Sequence, residues 1–213
     1  MNGYATVKDI TLRDDGNFLV AIEVGNGYGS ESLEFVLMPE ILDEIDIRIG
    51  EIDGECLCTL ETGDAITRAY VSACNSISYS LCSHKALRRK LISKKHSPDA
   101  AARAVELVRK RGYINENELA LRRAELMVEK LWGRTRICSK LMSEEFDDEA
   151  MSMVRDYLEE IDFGERCAEV IAKKYPVIPS ERRERDKMYA ALLRLGFSST
   201  DIREAIRYNL ENE

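Results

Sequence analysis

An internal repeat constrains this chain more than any other feature. Three stretches of its C-terminal two-thirds superimpose with a period of about fifty residues. Leu87-Arg-Arg-Lys-Leu91 is followed by His96-Ser-Pro and an apolar helical run to Val108. Ile137-Cys-Ser-Lys-Leu141 is followed by Phe146-Asp-Asp and a run to Leu158, and Met188-Tyr-Ala-Ala-Leu192 by Phe197-Ser-Ser and a run to Leu210. In each copy two apolar residues four apart share a helix face, a ring comes five residues later, and a polar pair opens the next helix. One such unit cannot bury its apolar face alone, so neighbouring units stack and leave a long exposed face. That arrangement suits binding a large partner better than catalysis.

Upstream of the repeats the period is two. Asp15-Gly16 is a two-residue hairpin signal between strands at 6–12 and 18–24, with Phe18, Val20, Ile22 and Val24 alternating on one face. Asn26-Gly27 and Gly29 end the second strand, 33–37 makes a third, and Pro39 opens a short helix carrying Ile41, Leu42 and Ile45. Gly50 breaks that segment and 56–60 adds a small strand. After Gly63 the period becomes helical: Ile66, Ala69, Tyr70, Ala73, Cys74, Ile77 and Leu81 share a face. Ser83 caps a helix carrying Leu87 and Leu91, and Ser97-Pro98 starts one that Gly112 stops. The next unit presents Ala120, Ala124, Met127 and Leu131, with Gly133 as its breaker. The last begins near Phe163, loops at Pro176 and Pro179, and has Gly196 and Ser198 between its final helices.

The expected fold is therefore mainly α: three tandem three-helix-bundle repeats in an elongated curved array, preceded by a small β-rich domain. The expected boundaries are 1–63 for the acidic β-rich domain and 64–114, 115–160 and 161–213 for the repeats. The 213 residues carry a net charge of -8, which hides a strong segregation. Residues 1–63 hold three basic and fourteen acidic residues, whereas 84–136 hold fifteen basic and six acidic. A basic middle suggests an anionic partner, with solvated helix faces as the plainer reading. No apolar run is long enough for a membrane span, and Met1-Asn-Gly-Tyr begins no secretory signal, so a cytoplasmic location is expected. The six cysteines lack framework spacing and are expected to be free thiols.

Signals for chemistry are few. His96 falls at the ring position of the repeat, matching Phe146 and Phe197, and His84 lies at a helix start, where a surface role is expected. Cys56-x-Cys58 has no second ligand pair at zinc spacing. No phosphate loop, HExxH or GxSxG pattern occurs. No enzyme activity, cofactor or metal is expected. The basic clusters say more. Arg88, Arg89 and Lys90 sit among Leu87 and Leu91, with Lys94 and Lys95 beyond; Arg109, Lys110 and Arg111 close a helix, where cations also favour the dipole. Arg122, Arg123, Arg134, Arg136 and Lys140 continue the positive character. Trp132, the only tryptophan, is read as lying in a polar loop between two of those arginine pairs. It either stacks on a base or anchors a partner, or else plugs a junction between repeats.

Four local patterns, in order over residues 70–210, resemble the RecX regulatory proteins, which modulate the RecA recombinase. Ser83-His-Lys-Ala-Leu-Arg-Arg-Lys-Leu91 is similar to the family's first-repeat signature. Arg111-Gly-Tyr-Ile114 with the following Asn-Glu-Asn-Glu-Leu119 resembles its inter-repeat junction, Trp132-Gly-Arg-Thr-Arg-Ile137 its "GxxRI" segment, and Leu195-Gly-Phe-Ser198 its C-terminal ending. His96 stands where the family has an apolar pair, Asn115-Glu116 replaces an acidic doublet, and Glu125 and Glu129 interrupt the basic stretch. The resemblance implies a protein that lies in the groove of the RecA–DNA filament and tunes, mainly by inhibition, its ATP hydrolysis and strand exchange in DNA repair and the SOS response. It further implies the RecA filament as partner and DNA as a second one for some members; separately, a monomer is expected. Two readings compete: an independent nucleic-acid binder built on helix-turn-helix-like units, and a helical adaptor, since Leu195-Gly-Phe-Ser also resembles ubiquitin-associated domains. The acidic head is expected to shield the basic stretch when no filament is present.

Overall fold

The structure, a computed structural model, describes residues 4–26, 29–175 and 177–211. Gly27 and Pro176, expected to end a strand and to force a loop, lie outside these residues. One compact unit comprises the chain up to Leu81 with Leu87–Tyr113; a second comprises Cys82–Ala86 and Ile114 onward.

In the first unit β1 (Tyr4–Leu12), β2 (Phe18–Asn26), β3 (Gly29–Leu37) and β4 (Gly50–Ile52) form one antiparallel sheet in the order β3-β2-β1-β4. Val7, Val20, Ile22 and Leu37 are buried on its inner face. The β1–β2 connection is longer than the two-residue turn expected. Arg13 N–H donates to Asn17 O at 2.8 Å, leaving a three-residue loop with Gly16 at φ 80°. A type I turn closed by a left-handed glycine has this shape, and Asp15 supports it by accepting from Asn17 N–H at 3.0 Å.

Helix α1 (Pro39–Ile45) follows with proline in its first turn. Helix α2 (Gly54–Tyr79) then runs for 26 residues, which corrects two expectations. Residues 56–60 are helical, because Asp53 caps the helix by accepting from Cys56 N–H at 2.8 Å. Gly63 does not break the pattern; it lies inside α2, where a Cβ would come within 2.8 Å of Leu37 and 2.9 Å of Ile41. The glycine lets the helix pack closely on the sheet. Two buried polar side chains of α2 complete the strand end: Asp64 accepts from Val36 N–H at 2.9 Å and Thr67 from Met38 N–H at 3.1 Å. The residue 63 boundary thus falls within a helix that belongs to the same compact unit as the sheet. Helix α3 (His84–Ser93) begins among residues of the second unit and ends in the first, and α4 (Pro98–Lys110) completes the first.

The second unit contains α5 (Glu116–Glu129), α6 (Arg134–Ser143), α7 (Asp148–Glu159), α8 (Phe163–Lys174), α9 (Arg182–Arg194) and α10 (Ser199–Glu211). Its core joins Ala120, Ala124, Ile137, Leu141, Val154, Leu158, Ile171, Leu192 and Phe197. Ten helices are present among the described residues.

The sequence repeat is also a repeat of backbone geometry. Lys95, Glu145 and Gly196 take positive φ values of 74°, 62° and 96°. In the first and third copies the next N–H reaches back to the residue five before, His96 to Leu91 O and Phe197 to Leu192 O. This is the left-handed close of a helix, and a cap opens the following one: Ser97, Asp147 and Ser198 accept from Ala100, Ala150 and Asp201 N–H. A second element joins successive copies. The Ser83 hydroxyl donates to Glu144 O at 2.6 Å while accepting from Ala86 N–H at 3.1 Å. One repeat later Gly133 N–H donates to Leu195 O at 2.8 Å and Thr135 N–H to Gly196 O at 3.1 Å. In both joints the start of one second helix seats on the turn that ends the next.

Candidate partner-binding surface

The basic residues of the first unit divide into engaged and open ones. Arg88, Lys90, Lys95 and Arg109 are exposed and have no ion-pair partner among the described residues. Arg89 is exposed on the same helix; Lys94 reaches the Ser76 hydroxyl at 2.8 Å, and Lys110 pairs with Glu106 at 3.0 Å. Arg111 is turned to structural use: it pairs with Glu40 of α1, donates to the Tyr70 hydroxyl and lies 4.8 Å from the centre of that ring. The ion pair holds the Glu40 carboxyl below its ordinary range. Arg103, at 2.5 Å from Glu44, makes a second link between α4 and the acidic segment. Acidic residues near α1 therefore neutralise two cations of the basic middle.

In the second unit most of the expected residues hold the fold as well as carry charge. Arg122 pairs with Glu125 at 3.1 Å, and Lys140 with Glu144 at 3.2 Å. Arg123 also pairs with Glu144 and lies 5.6 Å from the Phe146 ring centre. Arg134 donates to Leu158 O at 2.8 Å, one of the last carbonyls of α7, and sits 5.3 Å from the Phe163 ring. Arg136 stacks over Trp132 at 3.8 Å, and Trp132 packs against the core instead of standing in an open loop. An arginine gives up little solvation when it covers a ring face, so both groups keep their places.

His84, expected at the surface, is mostly buried and pairs through Nδ1 with Glu116. Glu116 is only 6% exposed and joins three segments. One oxygen accepts from His84 N–H at 2.9 Å at the start of α3, and the other from Asp147 N–H at 2.9 Å at the cap of α7. Burial works against ionisation of this carboxyl, but the bonds from the His84 side chain and the two backbone N–H groups outweigh it and hold the pKa below its ordinary value. A carboxylate whose folded pKa is depressed adds stability that is complete above its unfolded pKa, near 4.5, and lost as pH falls through the folded value. Unfolding free energy measured from pH 7 down to pH 3 is expected to fall more steeply for the native chain than for Glu116→Gln. Parallel curves would remove Glu116 from the acid response.

Reading by residue type passes over two features. Arg182, Arg183 and Arg185 are exposed in the first turns of α9, whose N-cap Glu181 makes no side-chain cap bond. The pairing of Gly133 with the Gly196 turn is a close backbone approach, signalled only by two glycines at corresponding breaks. Among the described residues no cluster of three potential ligands could hold a metal, and no helix is long and apolar enough to cross a membrane. All six cysteines are unpaired.

A small antiparallel sheet followed by recurrent three-helix units defines a mainly α, helical-repeat protein. A family model described as the third three-helix domain of RecX matches residues 160–206, the segment of α8, α9 and α10. The regulatory protein RecX of Xanthomonas axonopodis pv. citri (strain 306) is 29% identical over 131 residues, which are 61% of this chain and 80% of that protein. The RecX of Xanthomonas citri matches to the same extent. A crystal structure of regulatory protein RecX superposes with a TM-score of 0.73 at 18% identity, covering 94% of this chain and 99% of that one. The crystal structure of RecX from Lactobacillus salivarius gives 0.57 at 26% identity, over 68% and 96% of the respective chains. By these comparisons the chain is similar to the RecX regulatory proteins, over its last three helices in the family model and over most of its length in the crystal structures.

Proposed function

We propose that this protein binds the RecA–DNA filament and restrains its ATP hydrolysis and strand exchange, acting in the cytoplasm as a monomer, by binding and not by catalysis. The helical part is read as three repeats, the first entering within α2 and ending near residue 114 and the others spanning 115–160 and 161–213, each offering one contact region to the filament. Modest contacts then add, because engagement of one repeat raises the effective concentration of the next. The observation that carries this reading is the group of exposed cations on α3 and the turn after it, Arg88, Lys90 and Lys95, which have no acidic partner among the described residues. Cations left unpaired in a chain with net charge -8 favour an anionic partner. Arg109, Lys110, Arg122, Arg123 and Lys140 add to the field, and the arginine cluster of α9 favours a second reading in which DNA phosphate is met directly.

Co-sedimentation with RecA assembled on single-stranded DNA separates these readings. Selective pelleting with the filament supports the regulator, and pelleting with DNA alone, falling steeply with salt, supports the nucleic-acid binder. Reversal of Arg88, Arg89 and Lys90 to glutamate is expected to weaken filament binding at least tenfold with unchanged circular dichroism. Unaltered affinity in the folded variant removes this face from the interface. The shielding role of the acidic head is better tested by Glu40→Gln with Glu44→Gln than by deletion of residues 1–63, which would cut through α2.

A further inference from the structure

One position of the repeat is apolar in all three copies and buried in none. Ile92, Met142 and Leu193 are 40%, 67% and 44% exposed, each immediately after a fully buried leucine: Leu91, Leu141 and Leu192. Their backbone addresses are the same. Ile92 O accepts from Lys95 N–H at 3.0 Å, Met142 O from Glu145 N–H at 3.0 Å and Leu193 O from Gly196 N–H at 2.9 Å. Other exposed positions of these helices vary freely: Lys85, Thr135 and Asp186 at one, Arg89, Ser139 and Ala190 at another. The residue after the buried leucine lies about 100° around the helix, so the fold itself asks only for a polar side chain there.

We propose that Ile92, Met142 and Leu193 are the three anchors, one per repeat, by which this protein engages successive identical subunits of a protein polymer, each anchor entering an aliphatic pocket. The proposal rests on the filament reading above and specifies its contact. The three side chains differ in shape but are close in size and wholly apolar, which suits one kind of pocket presented three times. Arg88, one turn before Ile92, places a cation beside the first anchor. Nucleic acid is the poorer fit, since bases are held by stacking on aromatic rings or guanidinium planes and aliphatic side chains offer neither. A few residues at the centre of an interface carry most of its affinity.

The test substitutes serine for Ile92, Met142 and Leu193, singly and together, in the full chain. Exposure of these sites and circular dichroism keep folding out of the comparison. On the assembled recombinase filament a single substitution is expected to weaken binding about fivefold and the triple variant about a hundredfold. On unpolymerised recombinase, where one anchor acts at a time, the triple variant is expected to lose only about fivefold, and DNA binding does not change. A triple variant that sediments with the filament like the native chain, while the Arg88, Arg89 and Lys90 reversal does not, overturns the anchors and leaves the filament reading standing. A native chain that does not sediment with the filament overturns both. A native chain that is a dimer in solution, made monomeric by the triple substitution with filament binding unchanged, assigns the row to self-association and overturns the proposal.

Discussion

Gly133→Ala is expected to destabilise the protein by about 3 kcal/mol, lowering the melting midpoint by about 6–12 °C. Gly133 is the N-cap of α6 and has no side chain to offer, yet the helix start is satisfied by carbonyls of the α9–α10 turn. Bringing Leu195 O and Gly196 O within bonding distance presses the two backbones together. A Cβ on Gly133 would lie well inside contact distance of the Gly196 carbonyl carbon and the Phe197 nitrogen. Both neighbours are backbone, so neither can swing aside. Gly54→Ala is the control: at the start of α2 a Cβ meets nothing within 4 Å, and the change is expected to be neutral or to add about 0.5 kcal/mol. Thermal unfolding of the two variants measures the difference directly. Equal midpoints would show that the joint yields without cost.

Glu116→Ala carries the second large effect, a loss of about 3 kcal/mol at pH 7. The substitution strips the N–H groups of His84 and Asp147 of their acceptor and leaves the His84 ring without its carboxylate. Each is a bond to a charged group in a mostly buried place, where a lost partner costs more than the bond contributed. Glu118→Ala, two residues along the same helix on its exposed face, is expected to cost less than about 1 kcal/mol. Denaturant unfolding at pH 7 and pH 4 compares them. The gap between native chain and Glu116→Ala narrows at pH 4, below the ordinary carboxyl value of 4.5, because the unfolded chain then takes up a proton that the folded carboxylate resists.

These two residues also mark the limit of what could be read without coordinates. Periodicity of Leu87 and Leu91, Ile137 and Leu141, and Met188 and Leu192 was sufficient to place the second helix of every repeat, since a buried face imposes its spacing on the chain. Caps at Ser97 and Ser198 were equally legible, because a cap acts on residues two or three positions away. The true start of α2 was hidden by Gly63, which resembles a breaker until Leu37 and Ile41 are seen packed against it. Arg111 and Arg123 read as free cations, but their acids, Glu40 and Glu144, are 71 and 21 residues distant in the chain. The three exposed anchors were invisible for a related reason. Their apolar character is in the sequence, but only solvent exposure separates them from the leucines beside them.

The amino-acid sequence by itself thus determined the class of fold, the number and order of the repeats, and the charge segregation, all of which follow from interactions within a few turns of helix. The tertiary structure alone decided which charges stay open, where the first compact unit ends, and how one repeat seats on the next. Those outcomes depend on pairs such as Ser83 with Glu144 and Gly133 with Leu195, 61 and 62 residues apart. No local pattern encodes such a pair, because each partner satisfies its own neighbourhood equally well until the chain has folded.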